Sequence, residues 1–280
     1  MQPEIHIGPL DLKTFGICFA VGFLASGLII SRRFRELDKP PDWSYEMVFA
    51  ALIGGLVGSR VDYLIQNWDQ VSDDLLGNIL SGSGLVWFGG FVGGAIGVVL
   101  WAWWRGFLGW QLFDLAAVPL AIGYAIGRVG CQLSGDGDYG THSDLPWAMS
   151  YPDGTVPTTD QVHPTPIYEF LVMSAVTWWL WQRRDKGRPG ELIGWWALLA
   201  GIERFLVEFI RRNEDIVGPF SLAQFVSVVM IVAGAWWILH IRSREPAPQI
   251  STKRPSPRSS APRKAKRAAA SSSRATPTDL

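Results

Sequence analysis

Residues 85–104 read LVWFGGFVGGAIGVVLWAWW, a run of twenty residues that contains no charged side chain. A helix needs about 20 predominantly apolar residues to cross the hydrocarbon core of a bilayer. Charged residues make up 18% of the 280-residue chain, which is low for a soluble domain, and the chain holds 15 tryptophans. Six further stretches have the length and apolar character of a span: 14–31, 44–66, 111–130, 166–182, 190–210 and 219–240. The sequence therefore predicts an all-α membrane protein with seven transmembrane helices.

Lysine and arginine lie mostly on one side of the predicted spans. The segments that follow spans 1, 3, 5 and 7 hold 19 of the 25 basic residues. Cytoplasmic loops of membrane proteins are enriched in Lys and Arg, so this bias places the N-terminus outside and the C-terminus in the cytoplasm. We expect span 1 to be kept as an anchor, because the residues before it are not basic as in a cleavable signal peptide.

The formal net charge of zero conceals two regions of opposite charge. Residues 241–280 carry ten basic and two acidic residues, whereas residues 1–240 carry 15 basic and 23 acidic ones. The segment 245–280 lacks the apolar content to fold, so it is predicted to be a disordered, basic cytoplasmic tail behind a transmembrane domain at 1–244. We expect the tail to attract anionic membrane lipids, and we expect no nucleic-acid partner.

A loop at about 131–165 separates spans 4 and 5. It is rich in Gly, Pro, Ser, Thr and Asp and contains no Lys or Arg, and we expect it to form a structured cap on the outer side. The two cysteines, Cys18 and Cys131, have no metal-ligand spacing, so we expect neither a metal nor a cofactor.

Small residues recur every fourth position in spans 2, 3 and 4. The pairs are Gly54 and Gly58, Gly90 and Gly94, and Gly123 and Gly127. This spacing allows helix backbones to approach closely within a membrane. Tight helix packing explains such glycines, and room for a lipid chain between helices is an alternative use.

Charged residues inside the spans point to a phosphate ligand. A charge at the centre of a bilayer costs about 3 kcal/mol, so such residues are functional candidates. Arg128 ends span 4 just before the glycine-rich run 135–140, and an arginine beside exposed backbone N–H groups suits a phosphate. Arg204 and Glu208 share one face of span 6, where Glu208 could neutralise Arg204 as a purely structural pair. Alternatively, Arg128 and Arg204 form a clamp for one phosphodiester.

The segment that opens span 5 adds a candidate proton carrier. His163 lies at the outer interface and Glu169 about one turn into the membrane. A lone histidine is usually structural, but one beside an arginine pair could transfer a proton near neutral pH.

Six motifs in this order resemble the prolipoprotein diacylglyceryl transferase family of bacterial inner membranes, over residues 8–240. They are LIGGLVGSR at 52–60, GGFVGG at 89–94, GRVG at 127–130, HPTPIYE at 163–169, RFLVEFIRR at 204–212 and SLAQ at 221–224. The resemblance implies a multi-pass enzyme of the bacterial inner membrane. Such an enzyme moves the diacylglyceryl group of phosphatidylglycerol onto the lipobox cysteine of a prolipoprotein signal peptide, leaving glycerol phosphate.

The resemblance also implies roles for single residues. The expected catalytic residues are Arg128, Arg204, Glu208 and His163. The expected substrate-binding residues are Arg128, Gly130, Gly135, Asp136, Gly140, Tyr168 and Glu169. The chain differs from the family pattern at four positions, where it has Phe15, Phe88, Cys131 and Ala200.

Because residue 88 is phenylalanine, the sequence does not show which group accepts the proton of the substrate thiol. The family often has a histidine or tyrosine there, and here His163, Glu169, Asp136 or the substrate's own surroundings would have to serve. Two other functions are consistent with the same residues: a non-catalytic phosphatidylglycerol-binding relative, and a small anion transporter lined by the two arginines.

Overall fold

Seven α-helices make up most of the part of the chain that the structure describes. This computed structural model describes residues 2–7, 10–68, 86–212 and 220–243. The helices are α1 (Thr14–Glu36), α2 (Trp43–Gln66), α3 (Trp87–Trp104), α4 (Trp110–Ser134), α5 (Thr165–Arg183), α6 (Glu191–Val207) and α7 (Leu222–Ser243). A single 3-10 turn, Glu208–Ile210, continues α6. Each predicted span matches one helix, and the mostly helical fold is confirmed.

Two short antiparallel hairpins add strands that the all-α prediction did not include. The first pairs β1 (Glu4–Ile7) with β2 (Leu10–Lys13), and the second pairs β3 (Met149–Tyr151) with β4 (Thr158–Val162). Strands of three to five residues are too short to show a sustained alternation of apolar and polar residues, so the sequence pattern does not reveal them.

Four of the helices have the length and composition of a membrane span. They are α1, α2, α4 and α7, and α3 is a shorter apolar helix. Large apolar side chains cover their outer faces: Leu28 of α1 is 72% exposed and Leu239 of α7 is 69% exposed. Apolar surface of this extent suits lipid rather than water, so the chain is a membrane protein.

Helices α2 and α3 are in direct backbone contact. A Cβ atom built on Gly58 would lie 2.7 Å from the Cα of Gly93, and one built on Gly93 would lie 2.8 Å from the Cα of Gly58. Gly54, Gly89 and Gly97 make the same kind of approach. The glycines of α3 that approach α2 most closely are therefore Gly89, Gly93 and Gly97. The sequence pattern instead predicts Gly90 and Gly94, each one residue further along the helix. The close approach predicted for Gly127 is wrong, because nothing lies within 4 Å of a Cβ built there.

Helix α4 lies at the centre of the described helices, since it packs against α1, α5 and α6. Its buried face includes Val118, Ala121 and Ala125, and these residues share a core with Met173 of α5 and Leu192 of α6. The helix ends at Ser134, and the next residue, Gly135, has a left-handed φ of 57°. A side chain is strained in this conformation, so glycine turns the chain out of α4 and into the next segment.

The segment 135–165, which we call the cap segment, is folded onto the end of α4. Tyr139 and Tyr151 stack with ring centroids 4.8 Å apart, and Val162 is buried beside them. The backbone N–H of Thr155 donates to the carbonyl of Ser134 at 2.8 Å.

Which side of the membrane the cap segment faces stays a prediction. The predicted boundary at residue 244 and the predicted disorder of 245–280 concern residues outside those the structure describes.

Substitution of Gly58 by alanine should destabilise the protein by about 1–3 kcal/mol, because the new methyl group would overlap the backbone of α3. A matched control is Gly16→Ala in α1, where nothing lies within 4 Å of the added Cβ. Alanine favours a helix over glycine, so this control should be neutral or mildly stabilising. Unfolding of both variants in detergent measures the difference, and equal stability would contradict the backbone contact.

Candidate active site

Three arginines and three carboxylates meet where α4, α5 and α6 approach the cap segment. The arginines are Arg128 of α4, Arg204 of α6 and Arg211 just after the 3-10 turn. The carboxylates are Asp138 of the cap segment, Glu169 of α5 and Glu208 of the 3-10 turn. We call these six residues the arginine cluster.

Glu169 is the centre of the arginine cluster. Its side chain is fully buried, and its Oε2 lies 2.5 Å from Nε of Arg128. Its Oε1 lies 3.4 Å from Nη1 of Arg204 and 3.3 Å from Nη1 of Arg211. Burial of a carboxylate is costly unless opposite charges and hydrogen bonds compensate it. This one side chain therefore holds guanidinium groups from α4, α6 and the segment after it in one place.

Asp138 joins the cap segment to the same arginines. Its Oδ2 pairs with Nη1 of Arg128 and its Oδ1 with Nη2 of Arg211. Burial raises the pKa of the Asp138 carboxyl and the two guanidinium groups lower it, and the net direction is below the ordinary value. Thr165, the first residue of α5, donates its hydroxyl to the Asp138 carbonyl at 2.5 Å. The cap segment is thus fixed to α4 and α5 by both charge and hydrogen bonding.

Glu208 positions Arg204, as the sequence predicts from their spacing. Its Oε2 lies 2.8 Å from Nη2 of Arg204, one helical turn away. Its Oε1 accepts a hydrogen bond from the hydroxyl of Ser221 at 2.5 Å, at the start of α7. Arg204 therefore has one side directed to the Glu169 carboxylate and the other held by Glu208.

His163 and Tyr168 form a separate hydrogen-bonded group beside the arginine cluster. The Tyr168 hydroxyl accepts from Nε1 of Trp147 at 2.8 Å and lies 3.4 Å from Nδ1 of His163. Within the cap segment, the His163 carbonyl accepts a hydrogen bond from the Gly140 N–H at 2.8 Å. The predicted catalytic role of His163 stays a prediction, and the hydrogen bond of its ring is to Tyr168 rather than to an arginine.

The three predicted substrate-binding glycines have packing or backbone roles in this structure. A Cβ on Gly130 would lie 3.1 Å from the Cβ of Cys18, so this glycine lets α4 approach α1. A Cβ on Gly135 would lie 2.7 Å from the Cα of Gly154. A Cβ on Gly140 would lie 2.9 Å from the Cβ of His163. Contact of these glycines with a substrate stays a prediction.

Asp136 lies in the first turn of the cap segment. It accepts the backbone N–H of Asp138 at 3.3 Å, and burial together with the charge of Asp138 raises the pKa of its carboxyl. The potential ligand atoms of Cys131, Asp136 and Asp138 lie within 4.8 Å of one another. Because both oxygens of Asp138 pair with guanidinium groups, we assign no metal to this group.

Two members of the arginine cluster were not among the predicted site residues. Arg211 has a signal in the sequence, since it follows Arg204 by seven positions and so shares its helical face. Asp138 has none, because the cap segment has no periodic pattern and its carboxylate meets the arginines only in the folded chain.

Comparison with known proteins identifies the family. The model of the family described as prolipoprotein diacylglyceryl transferase matches residues 3–240. The chain belongs to this family. It is 34% identical over 262 residues to the phosphatidylglycerol–prolipoprotein diacylglyceryl transferase of Pseudomonas fluorescens, covering 87% of this chain and 94% of the relative. It is 27% identical over 280 residues to the protein of the same name from Leptospira interrogans, covering 81% and 88%. The resemblance inferred from the motifs is confirmed.

The four departures from the family pattern have different surroundings in this diacylglyceryl transferase. Phe88 of α3 is 51% exposed and Phe15 of α1 is 44% exposed. Ala200 packs against the core shared by α4, α5 and α6. Cys131 is buried, with its Sγ 3.8 Å from Nη1 of Arg128. Cys131 therefore contacts Arg128, a member of the arginine cluster.

Substitution of Glu169 by glutamine should destabilise the transferase by about 3–5 kcal/mol, because it leaves buried guanidinium groups without their shared counter-charge. The matched control is Glu46→Gln, which weakens the ion pair with Arg105, where both side chains are 32% exposed. A partly exposed pair of this kind contributes about 1 kcal/mol or less. Unfolding in detergent compares the two variants, and a Glu169→Gln protein as stable as the control would show that Glu169 is not the centre of the cluster.

Proposed function

We propose that this family member transfers the diacylglyceryl group of phosphatidylglycerol to the lipobox cysteine thiol of prolipoproteins. This is the first step of bacterial lipoprotein modification. The observation that carries the proposal is the meeting of Arg128 and Arg204 at one buried carboxylate, Glu169. Two guanidinium groups that share a carboxylate have the spacing to share a phosphate. The relatives' names give phosphatidylglycerol and prolipoprotein as their substrates.

The proposal includes the membrane topology. All seven helices cross the bacterial inner membrane, with the N-terminus outside and the C-terminus in the cytoplasm. The distribution of Lys and Arg supports this orientation. It places the end of α4, the cap segment and the arginine cluster at the outer face, where the lipobox cysteine of an exported prolipoprotein would arrive. The basic tail then lies at the cytoplasmic face, where it would contact anionic lipids.

The arginine cluster would bind the lipid phosphate through Arg128 and Arg204. Each guanidinium carries five N–H donors in a planar fork, so each can hold a carboxylate and a phosphate oxygen together. Glu208 would keep Arg204 in the required orientation. Asp136, Tyr168 and the glycines at 130, 135 and 140 would shape the surroundings of the glycerol headgroup.

The proposed reaction needs no nucleophile from the enzyme. The substrate thiol loses its proton, and its sulfur attacks the glyceryl carbon that is bonded to the phosphate oxygen. A carbon–sulfur bond forms, the carbon–oxygen bond breaks, and its electron pair goes to the departing glycerol phosphate. Arg128 and Arg204 stabilise the negative charge that develops on this phosphate, which is the main electrostatic contribution that fixed donors make to catalysis.

Purified protein in phosphatidylglycerol vesicles should attach a thioether-linked diacylglyceryl group to a reporter prolipoprotein, as detected by mass spectrometry. The Pseudomonas fluorescens relative serves as the positive control. No product from this protein where the relative is active would contradict the proposal. Binding of phosphatidylglycerol without product would then identify a non-catalytic relative, and anion flux across the vesicle membrane would identify a transporter.

Variants of the two arginines test the phosphate clamp. Arg128→Lys and Arg204→Lys keep the charge but lose the planar fork, and each should lower kcat about 100-fold or more, the effect of removing one fixed donor. Arg60→Lys in α2 is the matched control, because its guanidinium lies over the Tyr63 ring at 5.1 Å rather than in the arginine cluster. Similar transfer rates for all three variants would exclude the clamp.

A further inference from the structure

Glu203 is a buried carboxyl group that the proposed reaction leaves without a role. It precedes Arg204 on α6 and is only 7% exposed. Its Oε2 accepts a hydrogen bond from the Tyr124 hydroxyl at 3.2 Å, and its Oε1 is shielded from solvent without a hydrogen-bond partner among the described residues. Natural proteins satisfy most buried polar atoms, so a carboxyl with an unpartnered oxygen inside a membrane domain indicates a function.

The carboxylates of the arginine cluster differ from Glu203 in their ion pairs. Asp138, Glu169 and Glu208 each lie against at least one guanidinium group. An adjacent guanidinium stabilises the charged carboxylate and weakens its ability to accept a proton. Among the described residues, no Lys or Arg nitrogen lies within ion-pair distance of Glu203, so it is better suited than these three to take up a proton.

Tyr124 connects Glu203 to the arginine cluster. It lies one turn before Arg128 on α4, and the guanidinium carbon of Arg128 is 4.9 Å from the centroid of its ring. The tyrosine is half-buried, and its hydroxyl can donate one hydrogen bond while it accepts another. The titratable and charged groups that act on Glu203 are Tyr124 and Arg128 of α4, Glu169 of α5 and its neighbour Arg204.

We propose that Glu203 takes up the proton of the substrate thiol through the hydroxyl of Tyr124. The thiol proton moves to the Tyr124 oxygen while the Tyr124 proton moves to Oε2 of Glu203. The sulfur then forms its bond to the glyceryl carbon, and the departing phosphate keeps the electron pair of the broken carbon–oxygen bond. The proton leaves Glu203 with the departing glycerol phosphate. This inference rests on the proposed transferase function.

The test measures kcat and KM for phosphatidylglycerol against pH, with the full-length protein in vesicles and a reporter prolipoprotein. A proton acceptor must be deprotonated to act, so the wild-type kcat should rise with pH through the pKa of the acceptor. Glu203→Gln preserves the size and the acceptor oxygen but cannot take a proton. Its kcat should fall about 100-fold or more, with little change in KM and in thermal stability.

Three further variants separate the alternatives. Glu203→Asp should recover part of the activity, and the low-pH rise of its kcat, which we call the acidic limb, should be displaced along the pH axis. Tyr124→Phe should lower kcat as Glu203→Gln does, because it removes the hydroxyl that passes the proton to Glu203. Glu191→Gln is the matched control, since Glu191 lies on the same helix and is 6% exposed but pairs with Arg242. Its acidic limb should coincide with that of the wild type.

Several results would overturn the inference while leaving the transferase function intact. One is a Glu203→Gln enzyme with kcat within about threefold of wild type and an unchanged acidic limb, against the 100-fold expected of a lost proton acceptor. Another is a Glu203→Gln enzyme that loses phosphatidylglycerol binding in parallel with kcat, which would make Glu203 a structural support for Arg204. Loss of the acidic limb in His163→Ala or Asp136→Asn, but not in Glu203→Gln, would assign the proton to those residues. An inactive wild-type enzyme would instead refute the proposed function itself.

Discussion

A carboxylate with no exposure to solvent cannot remain charged inside a membrane domain unless opposite charges surround it. Glu169 is such a group, and three guanidinium groups meet at its two oxygens. Two of these arginines come from α4 and α6, and the third follows the 3-10 turn. The relative positions of these segments therefore depend on one side chain of α5. Apolar packing alone, which is non-directional, would let such helices slide or rotate against one another.

The cap segment extends this arrangement beyond the helices. Asp138 adds a second carboxylate that two of the same arginines share, and the hydroxyl of Thr165 binds the Asp138 carbonyl. Gly135 allows this because its left-handed conformation turns the chain back over the end of α4. Substrate groups that enter between the cap segment and the helices would thus meet charges that are already oriented, which is the condition for electrostatic catalysis.

Local patterns in the sequence predict the parts of the structure that depend on local physics. Apolar runs of span length predict all seven helices, and the spacing of Arg204 and Glu208 predicts their ion pair. The sequence does not reveal that Glu169 lies between three arginines, or that Asp138 reaches two of them, because both facts depend on the packing of distant segments. The glycine spacing predicts the close approach of α2 and α3, but Gly89 and Gly93 make the contact rather than Gly90 and Gly94. The rotation of each helix about its own axis depends on the surface of the helix that it packs against, and the local sequence pattern does not show that surface.

The arginine cluster has three ion-paired carboxylates for its three guanidinium groups, so its formal charges cancel. A phosphodiester that binds there adds one negative charge to a region of low dielectric constant. Such a region favours electroneutrality, and a proton is the smallest cation that can restore it. Lipid binding and proton uptake at this site are then thermodynamically linked, and the linkage is reciprocal. By the same linkage, a lower pH at the arginine cluster would favour binding of the lipid phosphodiester.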